Sequence, residues 1–235
     1  MTTTLHLLCA GAAQGLVKSL QARWLAETGS EIGGRFGAVG ALKEALLAGE
    51  PCDVMITTDA MAGALVREGR LRGEAQAALG RVRTGIAVRE GDARPDVSSP
   101  QALRAALLAA DAVYFPDAER STAGSHFAGL MRELGIGDAL RARRRTFPNG
   151  ATAMRELAAS TAARPIGCTQ LSEILDAGGV AALGALPPPF ELATVYTAAV
   201  SASAADAALG ARFVALLAGS STAASRRQAG FEPSA

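Results

Sequence analysis

The sequence predicts an α/β fold in which short apolar strands alternate with helices. Three observations point there: apolar stretches of strand length, apolar positions at helical spacing behind them, and loops of Gly, Ala, Ser or Asn at the junctions from strand to helix. Such a junction leaves the first N–H groups of the helix uncovered, where they and the helix dipole hold an anion.

Taken in order, residues 5–9 read as a strand, and Ala10-Gly11-Ala12-Ala13-Gln14-Gly15 as the loop before a helix. That helix carries Leu16, Leu20, Trp24 and Leu25 at helical spacing and stops at Thr28-Gly29. Residues 31–36 form the next strand, Phe36-Gly37-Ala38-Val39-Gly40 leads into a helix over 41–47, and 54–57 is a buried strand. A second series opens with a strand over 83–88 and a turn-rich segment over 90–95. A helix over 100–109 follows with Pro100 at its start, then a strand over 112–115. Ser121-Thr122-Ala123-Gly124-Ser125 opens a helix through His126, Phe127, Leu130 and Leu134 to Gly135, and Asn149-Gly150-Ala151-Thr152 opens another. Residues 166–169 read as a strand leading through Gln170 to a short helix over 171–175. This alternation predicts a parallel sheet with helices on both faces, and ligands in such sheets sit beyond the carboxyl ends of the strands.

The 235 residues allow one large domain or two smaller lobes. A composition of 49% hydrophobic and 19% charged residues, with net charge +1, provides no long-range field for nucleic acid or anionic lipid. Aromatic residues make up only 4%, too few for base-stacking platforms. Cys9, Cys52 and Cys168 are widely spaced, without a CxxC pair, and read as buried free thiols. Neither GxGxxG, a phosphate-binding GKS/T loop, a nucleophile elbow nor metal-ligand spacing occurs, so no cofactor and no metal are expected. Residues 1–8 lack the basic and apolar regions of an export signal. The expected location is cytoplasmic for the sequence as it stands, and periplasmic if a signal peptide has been removed. No apolar stretch is long enough for membrane insertion.

Several blocks occur in a fixed order: Leu7-Leu8-Cys9-Ala10-Gly11-Ala12, residues 24–29, 36–42 and 48–54, Thr58-Asp59, Thr122-Ala123-Gly124, Leu134-Gly135, Gly150-Ala151, Val195-Tyr196 and Gly230-Phe231. Together they resemble the molybdate-binding-protein branch of the type II periplasmic binding proteins. The resemblance implies a two-lobed fold with an anion in an interlobe cleft, lobe 1 over 1–82 and 198–235, and lobe 2 over 83–197. It also implies closure of the lobes on a small anionic ligand and, if the protein is exported, an ABC permease as partner.

Molybdate binders of this family present serine hydroxyls from the first loop and from the loop before the second helix; the matching positions here are Ala12 and Val39. Each oxyanion oxygen left unpaired costs about 1–3 kcal/mol, which disfavours molybdate and tungstate. The segment Gly167-Cys168-Thr169-Gln170-Leu171-Ser172-Glu173-Ile174-Leu175, with Gly184-Ala185-Leu186-Pro187, is similar to a branch that includes aconitate isomerase. Enzymes of that kind move a proton across an allylic tricarboxylate.

The expected ligand contacts are the backbone N–H groups of Gly11, Ala12, Val39, Gly40, Gly124 and Ala151, and the side chains of Ser125, His126, Asn149, Thr152, Gln170 and Tyr196. Amide and hydroxyl donors with few fixed charges suit a small carboxylate. The expected function is a solute-binding protein of the ABC-transporter type for a small organic anion. The alternative is a cytoplasmic isomerase of an unsaturated carboxylate with His126 as base and Asp59 as a second titrating group. Set against these are plainer roles: His126 packed within its helix, Asp59 capping the helix at 60–62, Asp53 in a turn, Tyr196 in a hinge or core, and Arg141, Arg143, Arg144 and Arg145 on a solvated helix end.

Overall fold

The computed structural model describes residues 3–234. Met1, Thr2 and Ala235, which begin the segment read for an export signal and bound the expected first lobe, lie outside the described residues. The chain divides into two units, one of residues 3–82 with 194–234 and one of Arg83–Ala193.

The first unit opens with β1 (Thr4–Ala10), a 3-10 turn (Gly11–Ala13), α1 (Gln14–Thr28), β2 (Glu31–Gly37), α2 (Val39–Leu47), β3 (Val54–Thr58) and α3 (Asp59–Arg67). The long strand β4 (Leu71–Arg89) carries the chain into the second unit at Val82–Arg83. There follow α4 (Pro100–Ala109), β5 (Ala112–Pro116), α5 (Thr122–Glu133), β6 (Arg144–Phe147), α6 (Gly150–Ala158), β7 (Pro165–Gln170), α7 (Leu171–Asp176) and β8 (Val180–Ala185). The chain returns at the start of β9 (Ala193–Ser201) and closes the first unit with α8 (Ala207–Ala218) and α9 (Ala223–Gln228).

The sheets are mixed, which corrects the expectation of parallel pairing throughout. In the first unit β1 lies parallel between β2 and β3, while β9 runs antiparallel to β3. In the second unit β5 lies parallel between β6 and β7, while β4 runs antiparallel to β7 and β8. The strands that depart from the alternation, β4 and β9, are the two that carry the chain across.

Burial explains the element boundaries. Consecutive β4 residues face opposite ways, as a strand requires. Ile86 packs with Leu103, Phe115, Phe127 and Leu130, and Ala87 with Ala153, Met154, Leu157 and Ile174. Helices therefore cover both faces of the second sheet. In the first unit Leu8, Leu42, Met55 and Leu65 share one cluster, and the Trp24 ring meets Phe213 edge-on at 5.0 Å. Leu25, expected on the apolar face of α1, is 44% exposed instead. Gly29 ends α1 at φ 68°, a conformation in which a Cβ is strained. Ser99 caps α4, accepting from the Ala102 N–H at 3.1 Å, with Pro100 behind it.

Arg144 and Arg145 lie in β6, and Arg141 and Arg143 in the 3-10 turn before it, where a helix end was expected. The Arg143 guanidinium anchors that turn by donating to the carbonyls of Leu108 and Ala110, both at 2.8 Å. All three cysteines are free and buried, as expected, and burial pushes the Cys52 thiol up to about 12. Asp53 is a buried staple, accepting from the N–H groups of His6 and Ala205, each at 2.8 Å.

Candidate functional site

In the first unit the β1–β2 register pairs Cys9 with Phe36 and Ala10 with Gly37, so the two strands end side by side. The Gly11–Ala13 turn and the start of α2 therefore occupy one sheet edge. Gly11 and Ala12 are buried, and the turn has no side-chain cap. Val39 is the first residue of α2; it is buried, Gly40 is half-buried, and Ala38 before them supplies no capping oxygen. No acidic residue stands in the first turn of α2. This edge is a pair of backbone N–H runs whose own side chains bring neither hydroxyls nor charge.

At the carboxyl end of β3, Thr58 caps α3, its hydroxyl accepting from the Met61 N–H at 3.4 Å. The capping role considered for Asp59 thus belongs to the residue before it, because Thr58 is still extended and Asp59 is already helical. Asp59 is exposed and accepts the Thr197 hydroxyl at 2.8 Å. Tyr196 pairs with Thr58 across β3 and β9; it is buried, with its ring edge-on to Phe231 at 6.2 Å.

In the second unit α5, α6 and α7 each begin near the carboxyl end of one of the parallel strands β5, β6 and β7. Ser121 caps α5, accepting from the Gly124 N–H at 3.3 Å. A Cβ at Gly124 would overlap the carbonyl oxygens of Pro116 and Asp117, so only glycine lets the helix start close onto the strand. Ser125 is exposed, and half-buried His126 places Nε2 2.8 Å from the Phe190 carbonyl oxygen. With a carbonyl as partner, that nitrogen carries the proton. Asn149 caps α6, its Oδ1 accepting from the Thr152 N–H at 2.8 Å. This leaves the Asn149 amide nitrogen as the donor end.

Gln170 is buried at the end of β7 and opens α7. Opposite it on β4 stands Thr84, whose buried hydroxyl has no hydrogen-bond partner among the described residues. The residue missed by sequence reasoning is Glu173. Its carboxylate is buried and accepts the Thr169 hydroxyl at 2.5 Å and the backbone N–H groups of Gln170 and Ala151. Burial holds its carboxyl above the usual carboxylate range, opposed by those three donors. A glutamate three positions after the residue that opens a helix is the acidic half of a capping box, the cue that points to Glu173, although Gln170 in the Ser/Thr place makes no side-chain cap. Among the described residues no three His, Cys, Asp or Glu side chains cluster as metal ligands would.

A family model described as bacterial extracellular solute-binding protein matches residues 5–232. The chain belongs to that family. This solute-binding protein has the two-lobed type II periplasmic-binding-protein fold. The periplasmic molybdate-binding protein of Azotobacter vinelandii superposes with a TM-score of 0.78 at 18% identity, over 98% of this chain and all of that one. The sulfate-binding protein SubI from Mycobacterium tuberculosis H37Rv superposes with a TM-score of 0.75 at 14% identity, over 98% of this chain and 87% of its own. An aconitate isomerase from Pseudomonas sp is 25% identical over 207 residues, 84% of this chain and 76% of the relative. No single helix among the described residues of the solute-binding protein is long and apolar enough to cross a membrane; only Ala207–Ala218 with Ser220–Gln228, bent by 56°, passes as a pair by length and composition.

Proposed function

We propose that this solute-binding protein captures a small organic carboxylate outside the cytoplasm and hands it to an ABC permease. The observation that carries this is the uncapped start of α2 beside the Gly11–Ala13 turn, with Ala12 and Val39 where molybdate binders of the family carry serines. Backbone N–H groups satisfy carboxylate oxygens, whereas a tetrahedral oxyanion loses two hydroxyl donors at a cost of about 1–3 kcal/mol each. The relative from Pseudomonas, named for aconitate, supports a carboxylate ligand. The proposed contacts, each unit taken by itself, are Gly11, Ala12, Val39, Gly40 and Tyr196 in the first, and Ser125, His126, Asn149, Thr152 and Gln170 in the second; the N–H groups expected of Gly124 and Ala151 are taken by Ser121 and Glu173 instead.

A thermal-shift series with molybdate, tungstate, sulfate and a panel of di- and tricarboxylates tests this, because a ligand of the native state raises the melting temperature by mass action. The expected result is stabilisation by a carboxylate that NMR finds unchanged after incubation. A carboxylate that stabilises and is isomerised makes the protein an enzyme, with His126 and Asp59 as the groups to replace. Stabilisation by molybdate alone overturns the assignment built on Ala12 and Val39.

A further inference from the structure

Asp53 and Glu173 are the buried acidic residues among those described. Asp53 is engaged by the N–H groups of His6 and Ala205, far from the helix starts of the second unit in sequence. Glu173 is different. Its carboxylate stands against the start of α6, so close that a Cβ on Gly150 would overlap Glu173 Oε2 and Thr169 Oγ1. Two of the donors it takes are the N–H groups of Ala151, which the sequence marks as an anion donor, and of Gln170, whose side chain is proposed above to contact the anion. No arginine or lysine pairs with it among the described residues.

We propose that Glu173 sets the charge selectivity of the anion site, by holding its own negative charge at the start of α6 so that a dianion binds there together with one proton. This rests on the anion-binding function proposed above. An incoming dianion and the Glu173 carboxylate are like charges at one helix start, in a place where screening by water is weak. The relief is protonation of Glu173 by a proton drawn from the buffer, which leaves a neutral carboxyl that still accepts a hydrogen bond. A monoanion meets half that repulsion and binds with less proton uptake.

Among the described residues the groups around Glu173 bring no ion-pair partner: on β4, Arg89 pairs with Asp92 at 2.8 Å and Arg83 lies 3.8 Å from Glu191. On α7 itself Asp176 adds a further negative charge. On α6, Arg155 and Glu156 pair with each other at 3.5 Å, and Arg155 is exposed. On β7 the Cys168 thiol is kept neutral by burial, and β8 carries no titratable residue. Tyr114 of β5, packed into the same apolar cluster, gives its hydroxyl to Ser160 at 2.9 Å. Burial disfavours the charged form of Glu173 already, which brings protonation within reach of an added anion.

The test is calorimetric titration of the full chain and of Glu173→Gln with fumarate, malate, citrate and trans-aconitate between about pH 5.5 and about pH 8.5, in buffers of different ionisation heat. For the unmodified protein the affinity of the binding anion should fall as pH rises, by up to about tenfold per pH unit for one linked proton, with buffer-dependent heats. Glu173→Gln should bind more tightly at the alkaline end and, with fumarate, whose own carboxyls stay ionised over this range, show a flat profile and no proton uptake. Should Glu173→Gln fail to fold, Thr169→Val removes a donor to the charged form and should move the fall in affinity to higher pH. Identical profiles for the variant and the unmodified protein overturn the selectivity role while leaving anion binding intact. Failure of every probe to bind either protein excludes the anion site, and Glu173's role with it.

Discussion

Thr197 gives its hydroxyl proton to Asp59 at 2.8 Å, tying β9 to the first turn of α3. Thr197 is buried, whereas Asp59 is exposed. Asp59→Ala should destabilise the protein by about 0.5–1.5 kcal/mol, read as a shift in urea midpoint. Asp59→Asn, which keeps an acceptor, should lose less. Equal stability of Asp59→Ala and the unmodified chain would show that the bond carries no weight.

Asn149 combines a cap with a proposed ligand contact, and two substitutions separate them. Asn149→Ala should cost about 0.5–2 kcal/mol of stability through loss of the bond to the Thr152 N–H. Asn149→Asp keeps the cap and the stability but puts a negative charge at the start of α6, and should lower anion affinity by at least about tenfold, or 1.4 kcal/mol. Unchanged calorimetric affinity in both variants would remove Asn149 from the site.

Gly150→Ala places a methyl group on Glu173 Oε2 and Thr169 Oγ1. A loss of about 1–3 kcal/mol is expected from forcing those groups apart. Gly178→Ala, whose Cβ meets nothing within 4 Å, serves as the control and should stay within about 0.5 kcal/mol. Thermal melts of the pair would contradict the close approach if they coincide.

The raised Glu173 carboxyl binds its proton more tightly in the folded chain than in the unfolded one. Its contribution to stability is therefore complete below the ordinary carboxylate range and is lost as pH rises through its folded value. Glu173→Gln, neutral at every pH, should flatten this part of the stability-against-pH curve. A urea series across acid and neutral pH would contradict it if the two curves stay parallel.

His126→Ala gives up the hydrogen bond to the Phe190 carbonyl and should cost about 0.5–1.5 kcal/mol. If a carboxylate is found to be isomerised, the same variant should lose turnover while remaining folded. Retained turnover would exclude His126 as the base.

Much of the fold is legible in the residues because burial writes its own pattern. The stretches over 5–9, 54–57 and 112–115 are mostly apolar because most of their residues are buried, His6 being the one that faces out, and Thr28-Gly29 and Ser99-Pro100 mark helix ends by local backbone chemistry. What depends on contacts distant in sequence is not written that way. Arg144 and Arg145 look like a charged helix end, yet Arg143 binds carbonyls of Leu108 and Ala110 and turns the chain into β6. Asp59 looks like a cap, yet its partner is Thr197 of β9, more than a hundred positions away. Glu173 carries a local cue, but its contact with Ala151 depends on α6 and α7 being packed together.

The backbone donors at Gly11, Ala12, Val39 and Gly40 are proposed to take a carboxylate and refuse molybdate. Calorimetric titration of the protein with its best-stabilising carboxylate and with molybdate, in one buffer, tests it directly. The expected result is saturable binding of the carboxylate, at least about tenfold tighter than molybdate, or 1.4 kcal/mol. Molybdate binding as tight as the carboxylate or tighter would contradict it.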